Sequence, residues 1–321
     1  MDNILDFEAQ VTALEQKIKE LREISRVGDI DVASDISKLQ QKVDKLLRKI
    51  YRELTPWQRV AVARHPNRPK FKDYLEELFE DPIELSGDRL FGDDKAIIGC
   101  LAKYNNMPCM VIGQEKGSDT ETRLFHNFGM AKPEGYRKAL RLFDLADRFY
   151  LPIITFIDTS GAYPGMESEE RGQAEAIAKC MEKSFQISVP FISVIIGEGG
   201  SGGAIALASS DYVLMLENSV YSVISPEGCA SILWKDKSKA EVAAESQKLT
   251  ATDLLELKII DNIIEEPVGG AHRNKHETVE NVKKSLTEFL EKSISIADDE
   301  RKSLRRSRFL NIGNSFVSTS S

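Results

Sequence analysis

The chain has 321 residues, 41% of them hydrophobic, which is enough for one large domain or two smaller ones around a sizeable core. A net charge of −8 argues against the broad basic field of a duplex-binding protein. No apolar run approaches the ~18 residues of a membrane span, and Met1-Asp2-Asn3 opens no basic-then-apolar leader, so a cytoplasmic location is expected.

In chain order, Phe7, Val11, Leu14, Ile18 and Leu21 recur at alternating spacings of four and three, and Ile36, Leu39, Val43, Leu46 and Ile50 repeat the pattern. With Gly28-Asp29-Ile30-Asp31 as a turn and Ser34 or Asp35 as an N-cap, residues 1–55 are expected to form an antiparallel helical hairpin. The proline-punctuated stretch 56–75 reads as irregular. From residue 96, β-rich runs at 96–102, 109–113, 152–157, 191–196, 212–216 and 259–264 alternate with helical stretches at 134–149, 167–188 and 239–257, the texture of an α/β core through residue 266. Residues 267–321 read as a polar helical extension with a disordered tail from 315. The basic cluster Arg301, Lys302, Arg305, Arg306 and Arg308 in that extension reads first as a solvated helix face, with an acidic partner or a phosphate as the alternative. Cys100, Cys109, Cys180 and Cys229 are widely spaced with no Cys-x-x-Cys pair, which points to structural thiols and no metal site in this chain.

The most informative stretch is 191–204, where an apolar strand runs into Gly197-Glu198-Gly199-Gly200-Ser201-Gly202-Gly203 and then a helix. Unpaired N–H groups at such a helix start, helped by the helix dipole, favour an anion. Three readings compete. Gly197 through Gly202 fits Gly-x-Gly-x-x-Gly, with Glu217 placed like a ribose-binding acid, which would make the chain an NAD-binding oxidoreductase. Gly199 through Gly203 fits Gly-x-Ser-x-Gly, with Asp211, Asp253 or Asp261 and then His272 or His276 following in hydrolase order. Against the latter, Ser201 stands five residues past Ile196 rather than at a strand end. The third reading is an oxyanion hole, because 153–165 repeats the design: an apolar strand ends in Gly161-Ala162-Tyr163-Pro164-Gly165, and two such turns can face one oxygen.

Ordered strings along nearly the whole chain then carry a family resemblance. They include Ala63-Arg64-His65-Pro66-x-Arg68-Pro69, Asn127-Phe128-Gly129-Met130, Gly161 through Gly165, Glu169-Glu170-Arg171-Gly172-Gln173, Gly197 through Ala204, Ser225-Pro226-Glu227-Gly228 and Gly269-Gly270-Ala271-His272-Arg273-Asn274. In these the chain resembles the alpha subunits of bacterial acetyl-coenzyme A carboxylase carboxyltransferase. The resemblance implies a crotonase-like (ClpP/crotonase) superhelix of ββα units, with two roughly perpendicular sheets. It implies transfer of a carboxyl group from carboxybiotin, borne by the biotin carboxyl carrier protein, to acetyl-coenzyme A, giving malonyl-coenzyme A for fatty acid biosynthesis. The implied partners are a zinc-ribbon beta subunit in an alpha2-beta2 heterotetramer and, in the larger complex, an ATP-using biotin carboxylase. Carried onto this sequence, it implies backbone oxyanion donors at Gly202 and Gly203 opposed by Gly161 and Ala162, with Gly199, Gly200, Tyr163 and Gly165 around the biotin. Glu198, Arg171 and Tyr163 read as support for the turns, and Ser225-Pro226 as a helix entry. One position departs from the family pattern: Ser160 stands where proline is usual, which loosens the turn before Gly161.

Overall fold

The N-terminal heptad stripes become two helices that bury them against each other. The computed structural model describes residues 5–27 and 32–314, so the turn expected at 28–31 and the tail from 315 lie outside the described residues. Helices α1 (Ala9–Val27) and α2 (Ala33–Arg52) share a cluster in which Val11 and Ile18 join Val43, Leu47 and Tyr51. Val32, not Ser34 or Asp35, takes the N-cap of α2; Asp35 falls in the first turn, where its charge still favours the helix dipole.

Residues 56–75 are not irregular, as expected, but contribute two helices, α3 (Pro56–Ala63) and α4 (Phe71–Leu78). The prolines mark helix starts. Pro56 sits at the first helical position, where no N–H is needed, and Thr55 and Gln58 cap each other's backbone at 3.2 and 2.9 Å.

Beyond them come the exposed β1 (Glu80–Glu84), which the sequence pattern did not announce, and the hairpin of β2 (Ile97–Tyr104) and β3 (Met107–Gln114). Asn105 and Asn106 both adopt positive φ in the hairpin turn. Then follow α5 (Thr120–Phe125), α6 (Pro133–Arg148), β4 (Ile153–Thr159), α7 (Met166–Glu170) and α8 (Gln173–Ser184). The single helix expected over 167–188 is broken at Gly172, whose φ is +80°. Next are β5 (Phe191–Gly200), α9 (Ser201–Ala208), β6 (Tyr212–Leu216), β7 (Val220–Ser222) and α10 (Pro226–Leu233), the last entered as expected with Ser225 capping the Gly228 N–H at 3.1 Å. The stretch 239–257 divides into α11 (Ala240–Ser246) and α12 (Ala251–Glu256), and β8 (Asn262–Ile264), α13 (Lys275–Ile294) and α14 (Asp298–Leu310) complete the chain.

Among the described residues the strands form one sheet in the order β1-β2-β3-β4-β5-β6-β8, antiparallel through β3 and parallel after it, with β7 branching from β5. In place of two separate sheets, the hydrogen bonding makes one that forks. The central strands are apolar throughout because both faces are covered. Ile153 and Ile157 of β4 face α6, α8 and α9, while Ile154 and Phe156 face α4 and α13. No helix among the described residues is long and apolar enough to cross a membrane.

The basic cluster near the C-terminus is a correction. Arg301 and Arg305 are buried rather than solvated, and they fasten α14 to the core. Arg305 pairs with Asp211 at 2.7 Å and donates to the carbonyls of Ser184, Ile187 and Val189; Arg308 pairs with Asp261 at 2.9 Å. The carbonyls past the end of α8 lack helical partners, and a guanidinium brings five donors in a fixed fork. Arg305→Met should therefore lower unfolding free energy in urea by about 3–5 kcal/mol, because Asp211 is left buried and unpaired, whereas Lys302→Met on the same helix should change it by less than about 0.5 kcal/mol.

Candidate active site

Strand β5 outruns its expected end at Ile196. Its first half pairs with β6 over Ile192–Ile195, and its second half gains a different neighbour, Glu198–Gly200 against Val220–Ser222 of β7. The other edge stays with β4 as far as Thr159 against Gly199. The turns leaving β4 and β5 are thereby forced side by side. A Cβ on Gly200 would lie 2.2 Å from the Ser160 carbonyl oxygen, and one on Gly203 would lie 2.8 Å from the Ala162 nitrogen and 3.0 Å from Tyr136 Oη. Glycine is required at both positions because main chain meets main chain there.

Helix α9 is anchored from both ends by buried polar groups. Gln114 Nε2, at the end of β3, donates to the Gly203 carbonyl at 2.7 Å. At the far end, Thr155 Oγ1 and Ser193 Oγ hold the Leu207 carbonyl at 2.8 and 2.9 Å. With its first turn fixed this way, α9 holds Gly202 and Gly203 at N-terminal positions whose N–H groups have no carbonyl within the helix to bond, and the Ala162 N–H finds no acceptor among the described residues. Gly161 differs from the expectation: its N–H donates to Thr159 Oγ1 at 3.1 Å, so of the opposing pair only Ala162 has a donor to offer. The short Thr159 hydroxyl competes for the nearest N–H of its own turn.

Two cavities flank this junction. One, of about 490 Å³, is mainly apolar and is lined by Ser201, Gly202, Ile205, Tyr221, Leu254 and Ile259. The other, of about 330 Å³, is basic and includes Arg64, Lys70, Lys116 and Arg123 in its walls. A narrow passage past Ser160, Gly199, Gly200 and Ser222 lies between them. Tyr163 and Gly165 line neither cavity; Lys132 stands over the Tyr163 ring at 4.9 Å, and the Tyr163 N–H bonds the Ala131 carbonyl at 3.0 Å. Arg171 pairs with Glu134 at 2.6 Å.

Sequence reasoning missed the ion network under the passage. Glu198 meets Arg64 at 2.7 Å and Lys116 at 2.6 Å, Lys116 also meets Asp158 at 2.8 Å, and Arg64 continues to Glu227. Burial pushes the Glu198 carboxyl up, but Lys116 and Arg64 outweigh it and hold it down at about 2. Spacing carries no signal for partners separated by up to 163 positions. Gln114 was missed for the same reason.

The rival readings can now be judged. Ser201 does sit at a strand end, with φ +53°, contrary to the expectation, because pairing with β7 carries β5 through Gly200. Among the described residues, however, the candidate bases are engaged elsewhere. His272 stacks on His65 with ring centroids 3.9 Å apart, and its burial, reinforced by the cations around it, keeps it neutral with a pKa lowered to about 3. His276 faces Glu77, while Asp211, Asp253 and Asp261 are bound to Arg305, Thr250 and Arg308. For the dinucleotide reading, Glu217 is turned to the Glu266 N–H at 3.3 Å rather than to a ribose site.

Comparison with known proteins places the whole chain. Residues 4–313 match the family described as acetyl co-enzyme A carboxylase carboxyltransferase-like. The chain is 56% identical over 313 residues to the acetyl-coenzyme A carboxylase carboxyl transferase subunit alpha of Zymomonas mobilis, covering 98% of this chain and 100% of that one. It is 54% identical over 316 residues to the subunit of the same name from Paramagnetospirillum magneticum, covering 98% and 100%. Among solved structures, transcarboxylase 12S superposes with a TM-score of 0.58 at 16% identity, covering 71% of this chain and 42% of that one. The beta subunit of P. aeruginosa geranyl-CoA carboxylase gives 0.55 at 16%, covering 74% and 44%. These two show the fold, which is the crotonase-like one.

The glycine contacts predict a graded series. Gly200→Ala and Gly203→Ala should each lower thermal stability, by about 1–3 kcal/mol, since backbone must move. Gly202→Ala, whose Cβ would stand 3.5 Å from Ile177, should leave the melting temperature unchanged or raised.

Proposed function

The chain belongs to the acetyl-coenzyme A carboxylase carboxyltransferase family, and from that premise we propose that it builds the carboxybiotin half of a shared active site. The overall reaction moves a carboxyl group from biotin on a carrier protein to acetyl-coenzyme A, giving malonyl-coenzyme A as the entry to fatty acid synthesis in the cytoplasm. The oxidoreductase alternative receives no support.

The observation that carries the assignment is the first turn of α9, where the Gly202 and Gly203 N–H groups have no intrahelical carbonyl, the unbonded Ala162 N–H lies beside Gly203, and Gly202 lines an apolar cavity. This combination fits a ureido ring: donors for its oxygen and apolar walls for its bicyclic body. The substrate supplies a carboxyl group on a ureido nitrogen, and its ureido oxygen gains negative charge as that group leaves. Gly202 and Gly203 donate to that oxygen from the positive end of α9, and each such donor contributes roughly 3–4 kcal/mol of transition-state stabilisation in comparable sites. Gln114, Thr155 and Ser193 hold the helix so that its first turn need not reorganise as charge develops. The ion network below Glu198 closes the floor without offering an ionisable group to the reaction, since its carboxylate stays charged down to about pH 2.

The second oxyanion, on the acetyl group, requires donors from another chain, and we assign them to a zinc-ribbon beta subunit in an alpha2-beta2 assembly that works with a biotin carboxyl carrier protein and a biotin carboxylase. In this reading residues 1–55 and 267–321 brace the catalytic core of 56–266.

The test is malonyl-coenzyme A formation by this chain mixed with its beta subunit, carboxybiotin carrier and acetyl-coenzyme A. Ser201→Gly removes the hydroxyl without a backbone penalty, because Ser201 already has positive φ, and should keep most of the activity. Gly202→Pro deletes one donor early in the helix and should reduce kcat by about 10²–10³-fold while co-elution with the beta subunit persists. A silent mixture would remove the carboxyltransferase reading, and a fatal Ser201→Gly would replace main-chain catalysis with a nucleophile.

A further inference from the structure

The basic cavity has no place in the carboxyl transfer just described, and its charges are not balanced. Two of its four cations, Arg64 and Lys116, are committed to Glu198 and to further carboxylates. The other two are not. Lys70 is only 7% exposed, yet its ammonium makes no ion pair among the described residues. The acids nearest in effect are already engaged: Asp158 binds Lys116 and the Glu198 N–H, while Glu115 accepts from the N–H groups of Lys72 and Gly117. Arg123, across the cavity on α5, likewise makes no ion pair or side-chain hydrogen bond among the described residues. Buried cations are ordinarily paired, because an uncompensated one carries a desolvation penalty of several kcal/mol. Burial pushes the Lys70 ammonium toward neutrality; Asp158, though committed to Lys116, opposes this, and the neighbouring cations Lys116 and Arg68 add to it.

We propose that this cavity is a binding site for a phosphate-bearing small molecule, with Lys70 and Arg123 as the cations that receive the phosphate. A single carboxylate would answer only one of two unpaired charges. A phosphate carries about −1.5 to −2 and three acceptor oxygens, enough to engage an ammonium and a guanidinium fork together. The volume of about 330 Å³ falls at the low end of the ~300–1,000 Å³ typical of small-molecule sites. The phosphate has two possible sources, coenzyme A or a separate phosphorylated compound, and the site recognises the chemistry they share.

Calorimetric titration of the full chain with inorganic pyrophosphate tests the site without reference to carboxyl transfer. One equivalent should bind, and Lys70→Met or Arg123→Met should each weaken binding by about tenfold or more, the scale of one charge-assisted hydrogen bond. Lys45→Met, on the exposed side of α2, should not alter it. Replacing an unpaired buried ammonium with methionine is not expected to harm folding, and the melting temperature checks this. Absence of pyrophosphate binding, or equal binding by all variants, would overturn the proposal. In the assembled enzyme the source is then read from KM. If coenzyme A supplies the phosphate, the two variants raise KM for acetyl-coenzyme A and leave that for acetyl-pantetheine unchanged. If a separate compound does, both KM values stay put while pyrophosphate binding is lost.

Discussion

The site depends on two stretches of main chain lying closer together than any side chain would allow. Strands β4 and β5 stay paired, across a register shift after Ile157 and Ile195, as far as Thr159 and Gly199, so the chain leaving each must turn in the same small volume. Gly200 presses on the Ser160 carbonyl and Gly203 on the Ala162 nitrogen. Such an approach is open only to glycine, and it brings the N–H groups of two separate turns to one place. The donors then belong to rigid backbone, which is why they can be aimed in advance of any charge.

Around that contact the protein uses fully or nearly buried ion pairs as fasteners. Arg68 reaches Glu266 at 2.7 Å and the carbonyl of Ile196 within β5 at 3.0 Å, and Glu266 in turn receives the N–H groups of Asn218 and Ala271, so one carboxylate gathers the loops after β6 and β8 while its partner ties the α3–α4 link to β5. Arg273, only half-buried, ties on the hairpin by binding Glu8 and Glu15. Breaking a buried pair of this kind leaves a charge without water or partner, so loss of one member costs far more than the intact pair contributes.

The forked β5 explains why a literal sequence pattern can mislead about mechanism. Extension of the strand to Gly200 places Ser201 at an elbow-like position with positive φ, the very geometry whose absence counted against a nucleophile. What separates the cases is the surroundings. Among the described residues the candidate imidazoles and carboxylates are engaged elsewhere, whereas the amides after Ser201 belong to the first turn of α9, which has no intrahelical carbonyl for them. The site is therefore legible from its unsatisfied groups rather than from its side chains.

Period and punctuation alone determined much of this protein: the paired N-terminal helices, the central strands, the helix entry at Ser225-Pro226, and the glycine-lined turn that leads from β5 into α9. Those features are local, set by side-chain alternation and by φ preferences within a few residues. The exposed β1 and short β7, the break at Gly172, the capture of the Gly161 N–H by Thr159, the burial of Arg301 and Arg305 and the anchoring of α9 by Gln114 were decided only in three dimensions. Each of the buried ties depends on which orphan carbonyl or carboxylate a distant residue happens to meet when the sheet closes, and no spacing along the chain encodes that.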